Sequence, residues 1–89
     1  MRAIITVVGE DKVGIIAGIS SVLAESNVNI LDISQTTLQE YFTMMMMVDL
    51  SELNTSMENV KEKLKKKGRS LGVSVKLQHE DIFKSMHRI

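Results

Sequence analysis

An α+β sandwich with the element order βαββαβ is the fold this sequence predicts, and three observations predict it. Two stretches, residues 13–26 and 55–67, carry helical spacing, and each sits between β-type runs. The two middle runs are separated only by Gln39-Glu40, the length of a hairpin connection. Two right-handed crossovers around that hairpin give an antiparallel sheet ordered 4-1-3-2 with both helices on one face, a ferredoxin-like arrangement.

Each element has its own justification. Residues 2–9 are rich in Ile and Val and read as a strand apolar on both faces, as a central strand is. From Val13 to Ser26 the apolar positions Ile15, Ile16, Ile19, Val22 and Leu23 recur at helical spacing. Asn27 and Asn29 follow, and Asn tolerates the left-handed conformation that ends a helix. Residues 29–38 are β-branched and half polar, which suits an edge strand. Tyr41 to Leu50 alternates, with Phe42, Met44, Met46, Val48 and Leu50 on one face and Met45 and Met47 on the other. A second helix is expected from about Thr55 to Lys67, capped by Ser51, Asn54 or Thr55 and turning Met57, Val60 and Leu64 inward. Gly68, after Lys65-Lys66-Lys67, reads as its C-terminal glycine. Residues 71–79 alternate as a strand with one wet face, and Asp81–Arg88 reads as a short helix with Ile82, Phe83 and Met86 on one side.

Composition narrows the function classes. The 89 residues are expected to form one domain over 1–89, small enough to bury only roughly 60–65% of its unfolded surface. A second subunit is therefore a natural source of stability. Eleven basic and eleven acidic side chains give zero formal net charge, so the total charge makes no case for nucleic acid or a membrane surface. Without cysteine there is no disulfide framework, thiolate metal site or cysteine nucleophile, which fits a cytoplasmic location. The chain starts directly in a strand-like run, so no signal peptide is expected.

The chemistry concentrates where the first strand meets the first helix. Gly9 and Gly14 bracket a short charged turn, Glu10-Asp11-Lys12-Val13, that ends at a helix N-terminus. Unpaired N–H groups and the positive end of the helix dipole can hold a carboxylate there. The plain alternative is a tight strand-to-helix turn.

With Asp11-Lys12-Val13-Gly14-Ile15 after strand one, and Val28-Asn29-Ile30 opening strand two fifteen residues after Gly14, the chain resembles an ACT domain over its whole length. Within that family it is most similar to single-domain, stand-alone proteins of the UPF0237 type, grouped with the regulator-like proteins of the glycine cleavage system. Ala3–Gly9, Asp32–Thr36 and Glu40–Met44 carry that closer likeness. The resemblance implies the same βαββαβ fold and a ligand held between subunits. Gly9, Asp11, Lys12, Val13, Gly14 and Ile15 would come from one subunit and Asn29 from its neighbour. Gly14 and Ile15 amides would receive a carboxylate, Asp11 an α-ammonium group, and Asn29 would both donate and accept. Many members have Pro where Val13 stands and a polar side chain where Gly9 stands.

Other signals have plainer readings. Six basic residues between Lys61 and Arg69 are interleaved with Glu58 and Glu62, and i,i+4 pairing and dipole compensation make them a solvated face. Aromatics are 3% of the chain, too few for a nucleic-acid stacking platform. His79, Glu80, Asp81 and His87 match no compact metal spacing, and Met44–Met47 splits two and two across a strand, so packing is its role. Ser20, Ser21 and Ser26 have no placed base. A small acyl-phosphate hydrolase of this fold would need an arginine where Lys12 stands, and a copper chaperone would need cysteines.

The expected protein is a non-catalytic regulatory module, without cofactor or metal, that binds a small amino acid or related metabolite as a homodimer or higher oligomer. An ACT-fold adaptor with no small-molecule ligand is the alternative, and a nucleic-acid regulator using Lys61–Arg69 a weaker third. Ile4, Met45 and Met47 leave apolar area on the open sheet face, for which the C-terminal helix, of the same chain or of a partner subunit, is the expected cover.

Overall fold

The computed structural model describes residues 1–10 and 13–81. Elements run β1 (Arg2–Glu10), α1 (Ile15–Glu25), β2 (Asn29–Leu38), β3 (Tyr41–Asp49), α2 (Met57–Leu71) and β4 (Ser74–His79). The strands form one antiparallel sheet ordered β2-β3-β1-β4, the expected order read from the other edge. Register is continuous from Arg2 opposite Asp49 to Glu10 opposite Tyr41, and β4 pairs the other side of β1 from Ala3–His79 to Val8–Ser74.

Alternation decides which side of this sheet is covered. Ala3, Ile5 and Val7 of β1 share one face with Met44, Met46 and Val48 of β3 and with Val75 and Leu77 of β4, and all are buried. Ile15, Ile19, Val22 and Leu23 of α1 and Val60 and Leu64 of α2 close over that face. Ile16 is the exception to the expected inward stripe of α1 and lies exposed. It sits one residue around from Ile15, on the flank that neither the sheet nor α2 covers. The two helices approach each other at Gly18, where a Cβ would stand 3.0 Å from Leu71 Cδ1 and 3.4 Å from Lys67 Cδ.

The second helix corrects the sequence reading at both ends. Its cap is Ser56, whose hydroxyl accepts from the Asn59 amide at 3.1 Å. Ser51 instead donates its hydroxyl and amide to Asp49 Oδ1, at 2.6 and 3.0 Å, and so belongs to the turn after β3. Gly68 is inside the helix and buried, and the left-handed residue that ends it is Gly72 at φ 74°. Val73 N–H returns to Gly68 O at 2.8 Å and Gly72 N–H to Arg69 O, which satisfies the final carbonyls. Gly68 is needed for proximity, since a Cβ there would lie 2.8 Å from Val75 Cγ2 and 2.9 Å from Val73 O. Leu71 and Gly72 therefore end α2, and the strand begins at Ser74.

Two asparagines fasten the lower end of α1. Asn27, left-handed at φ 61°, donates its side-chain amide to Glu52 O at 2.7 Å, and Asn54 donates to Glu25 O at 3.0 Å. Gln39, at φ 54°, makes the predicted hairpin turn. At the far edge of the open face Arg2 donates Nε and Nη2 to Glu80, at 2.5 and 2.8 Å. That bidentate contact, with Glu80's charge, holds the Arg2 guanidinium above its ordinary pKa. The expected C-terminal helix, beyond Asp81, lies outside the described residues.

Candidate functional site

The turn from β1 to α1 leads into an uncapped helix N-terminus. Val13 is fully exposed, and Gly14 adopts φ 92° with open space where a side chain would be. Its carbonyl starts the helix by accepting from Gly18 N–H at 2.8 Å. No side chain caps α1 and its first turn holds no acid, so neither a cap nor a first-turn carboxylate offsets the positive end of the dipole. Asp11 and Lys12 lie outside the described residues.

Gly9 has a structural duty as well. A Cβ at this position would stand 2.6 Å from Val73 Cγ1 and 3.3 Å from Val73 Cα, so the strand here presses against the α2–β4 turn. Beside it a shallow cleft of about 450 Å³ is lined by Val8, Gly9, Glu10, Tyr41 and Gly72. Tyr41 and Gly72 were not anticipated. The signal for Tyr41 was its position in the first residue of β3, directly opposite Glu10.

Asn29 stands at the other end of the sheet. It pairs with Asp49, which pairs with Arg2, whereas the Gly9 end of β1 is level with Tyr41 and Leu38. β2 spans ten residues, so roughly 30 Å of strand separates the two ends. One chain therefore does not bring Asn29 to Gly14. The Asn29 side chain is exposed and makes no hydrogen bond among the described residues; it lines a cleft of about 250 Å³ with Asn27, Val28 and Glu52. Next to it the Asp49 carboxyl is held below its usual range by the Ser51 hydroxyl, then by the Ser51 amide, with the chain's ammonium terminus 3.7 Å away.

β2 joins these two ends and is exposed almost throughout. Only Ile30 is half-buried, and Leu31, Ile33 and Leu38 are 47, 38 and 72% exposed. Its inward-facing positions Ile33, Gln35 and Thr37, paired with Met46, Met44 and Phe42, lie beyond the cover of the helices. A bulge at Leu31 shifts the register between Ile30 and Asp32.

The remaining candidates disperse. His79 Nδ1 accepts from the Asp81 amide at 3.1 Å while Glu80 turns to Arg2, and His87 lies outside the described residues. Among the described residues no three His, Asp or Glu side chains converge as a metal site, and no helix is long and apolar enough to cross a membrane.

Comparison with known proteins agrees with this fold. The profile of the ACT domain matches residues 2–78. A UPF0237 protein of Clostridium acetobutylicum is 63% identical over 89 residues, covering all of both chains. The solved ACT domain protein from Streptococcus pneumoniae is 46% identical, with a TM-score of 0.80 over 94% of each chain. The ligand-free regulatory subunit of aspartate kinase from Thermus thermophilus shares the fold, with a TM-score of 0.68 at 23% identity over 86% of this chain and 50% of that one. The chain belongs to the ACT domain family, whose members are typically regulatory ligand-binding modules and generally non-catalytic.

Proposed function

We propose that this protein is a non-catalytic regulatory module that binds a small amino acid or related metabolite between two copies of itself. The observation that carries the reading is the exposed β2 edge joining two half-sites that a single chain keeps apart. Antiparallel pairing of two β2 strands about a two-fold axis sets the partner's Asn29 end alongside the first copy's Leu38–Tyr41 end, on the side where Gly9, Val13, Gly14 and Ile15 stand. The α-carboxylate would accept from the Gly14 and Ile15 amides, Asp11 and Lys12 would add charges of either sign, and Asn29 would cross from the neighbour. Ligand would then bias the dimer geometry, since it favours whichever arrangement it binds better.

An adaptor without ligand is the second reading, favoured by the packing of Gly9 on Val73, which leaves no room for a side chain there. A thermal-shift screen over the amino acids, with sedimentation equilibrium on any hit, tests both. The proposal expects a ligand whose stabilisation grows with concentration and is lost in Asn29→Ala. Gly14→Asn keeps a residue that tolerates positive φ and is expected to bind more weakly. No stabilisation by any amino acid in a dimeric protein would favour the adaptor.

A further inference from the structure

The helical layer carries a feature that neither the sheet edge nor the β1–α1 turn uses. Within Met57–Leu71 there are six basic residues against two acidic ones, a surplus of four. Because the whole chain has eleven of each, everything outside α2 carries a matching deficit of four. A molecule of zero net charge is thus strongly polarised. The i,i+4 pairing expected from the sequence is absent: Lys63, Lys66 and Lys67 form no ion pair among the described residues, although Glu58 and Glu62 lie on the same helix.

These three lysines are not scattered. With Ser70 they form one wall of a groove of about 280 Å³ whose other wall is Val22 and Glu25 of α1. Gly18 lets the Lys67 stem lie close to the α1 backbone, 3.4 Å from where a Cβ would stand. The outer surface of α1 next to it is of opposite character. From Ile15 to Ala24 this helix has no charged side chain, and Ala17, Ser21 and Ala24, at i, i+4 and i+7, are exposed. A small, nearly apolar ridge therefore runs beside a row of unpaired ammonium groups.

We infer that the α1–α2 groove is a docking surface for an acidic amphipathic helix of a partner protein, whose carboxylates meet Lys63, Lys66 and Lys67 and whose small apolar side chains lie on Ala17, Ser21 and Ala24. Charge complementarity selects an anionic partner, and the uncharged ridge selects one with an apolar face, which a sugar-phosphate backbone lacks. The groove also has no aromatic side chain on which a base could stack. The surface is separate from the proposed ligand site, so either stands or falls without the other. It supplies a module of this kind with a place to hand its state to another chain.

The test uses the full chain and a labelled synthetic helix of about 20 residues, with Glu at i and i+4 along one edge and Ala and Leu along the adjoining one. Fluorescence anisotropy is expected to show binding that weakens as salt is raised from about 50 to about 200 mM. The triple variant Lys63→Gln/Lys66→Gln/Lys67→Gln should lose about 5- to 100-fold in affinity, as three screened pairs imply. Ser21→Glu should weaken binding with all three lysines intact, and Lys76→Gln on β4 should leave it within about twofold. Circular dichroism and melting confirm that each variant is folded. Absence of binding by the unaltered chain, equal weakening by Lys76→Gln, or preference for duplex DNA of matched charge over the peptide would each overturn the proposal.

Discussion

Placing charge at the middle of β2 is the sharpest test of the proposed dimer. The perturbation is the double substitution Leu31→Lys/Ile33→Lys. Both side chains are exposed in the single chain, by 47 and 38%, so lysine costs the isolated fold little. In a dimer paired through β2, these exposed fractions would be buried. At about 2.5 kcal/mol for a fully buried Leu or Ile, they contribute about 2 kcal/mol per protomer and about 4 kcal/mol per dimer. That is close to a thousandfold in the dissociation constant, before the repulsion among four ammonium groups near the two-fold axis is added. Sedimentation equilibrium from about 1 to 100 μM reads the outcome, with circular dichroism confirming the fold. The unaltered chain should sediment as a dimer or larger and the variant as a 10.0 kDa species. A variant with the same association constant as the parent would place the interface elsewhere, and a parent that is itself monomeric would refute the assembly altogether.

Other expectations follow from the fold. Gly68→Ala should lower stability by about 1–3 kcal/mol despite alanine's helix propensity, because the backbone oxygen of Val73, 2.9 Å from the new Cβ, cannot rotate aside; urea denaturation reads this. Asn27→Ala should lower the melting temperature by removing both the Glu52 contact and a residue tolerant of φ 61°, a combined cost of about 1–3 kcal/mol. The Asp49 carboxyl sits below its ordinary value of 3.8, so its contribution is complete above that value and lost as pH falls through the lower folded-state value. Ser51→Ala removes the largest cause and should move the acid limb of the melting-temperature profile to higher pH. Removing residues 81–89, where Ile82, Phe83, Met86 and Ile89 have one-sided apolar spacing, should lower the melting temperature and promote aggregation through Ile4, Met45 and Met47.

Elements with strong periodicity were legible to within one or two residues at their ends. The alternation of β3 separates four buried side chains, Phe42, Met44, Met46 and Val48, from the exposed Tyr41 and Met45, and β1 reads as central because it is central. The misreadings share one cause. Gly68 after three lysines has the local pattern of a cap, and only the distance from α2 to β4 shows it to be a proximity glycine. Gly9 presents the same difficulty: its crowding comes from Val73, sixty-four positions along the chain. The lysine row was read as paired because spacing permits pairing, yet spacing does not say which rotamers the groove favours. The candidate turn at Gly14 was visible as sequence, whereas its separation from Asn29 depends on strand register, and Tyr41 enters through register alone.

Strand order also has a consequence for how this chain is made. β1 leaves the ribosome first, but its two neighbours are β3 and β4, so its pairing with Val75 and Leu77 waits for the last described strand. Among the described strands the β2–β3 hairpin is the one pair whose partners are adjacent in sequence. At about 5–20 residues per second, β4 follows β3 by about 2–6 s. Throughout that interval four consecutive methionines and the free β2 edge are both present in a nascent chain whose sheet is incomplete. The edge proposed for assembly is thus a hazard during synthesis, and crowding of nascent chains on one message would join copies before each has closed its own core.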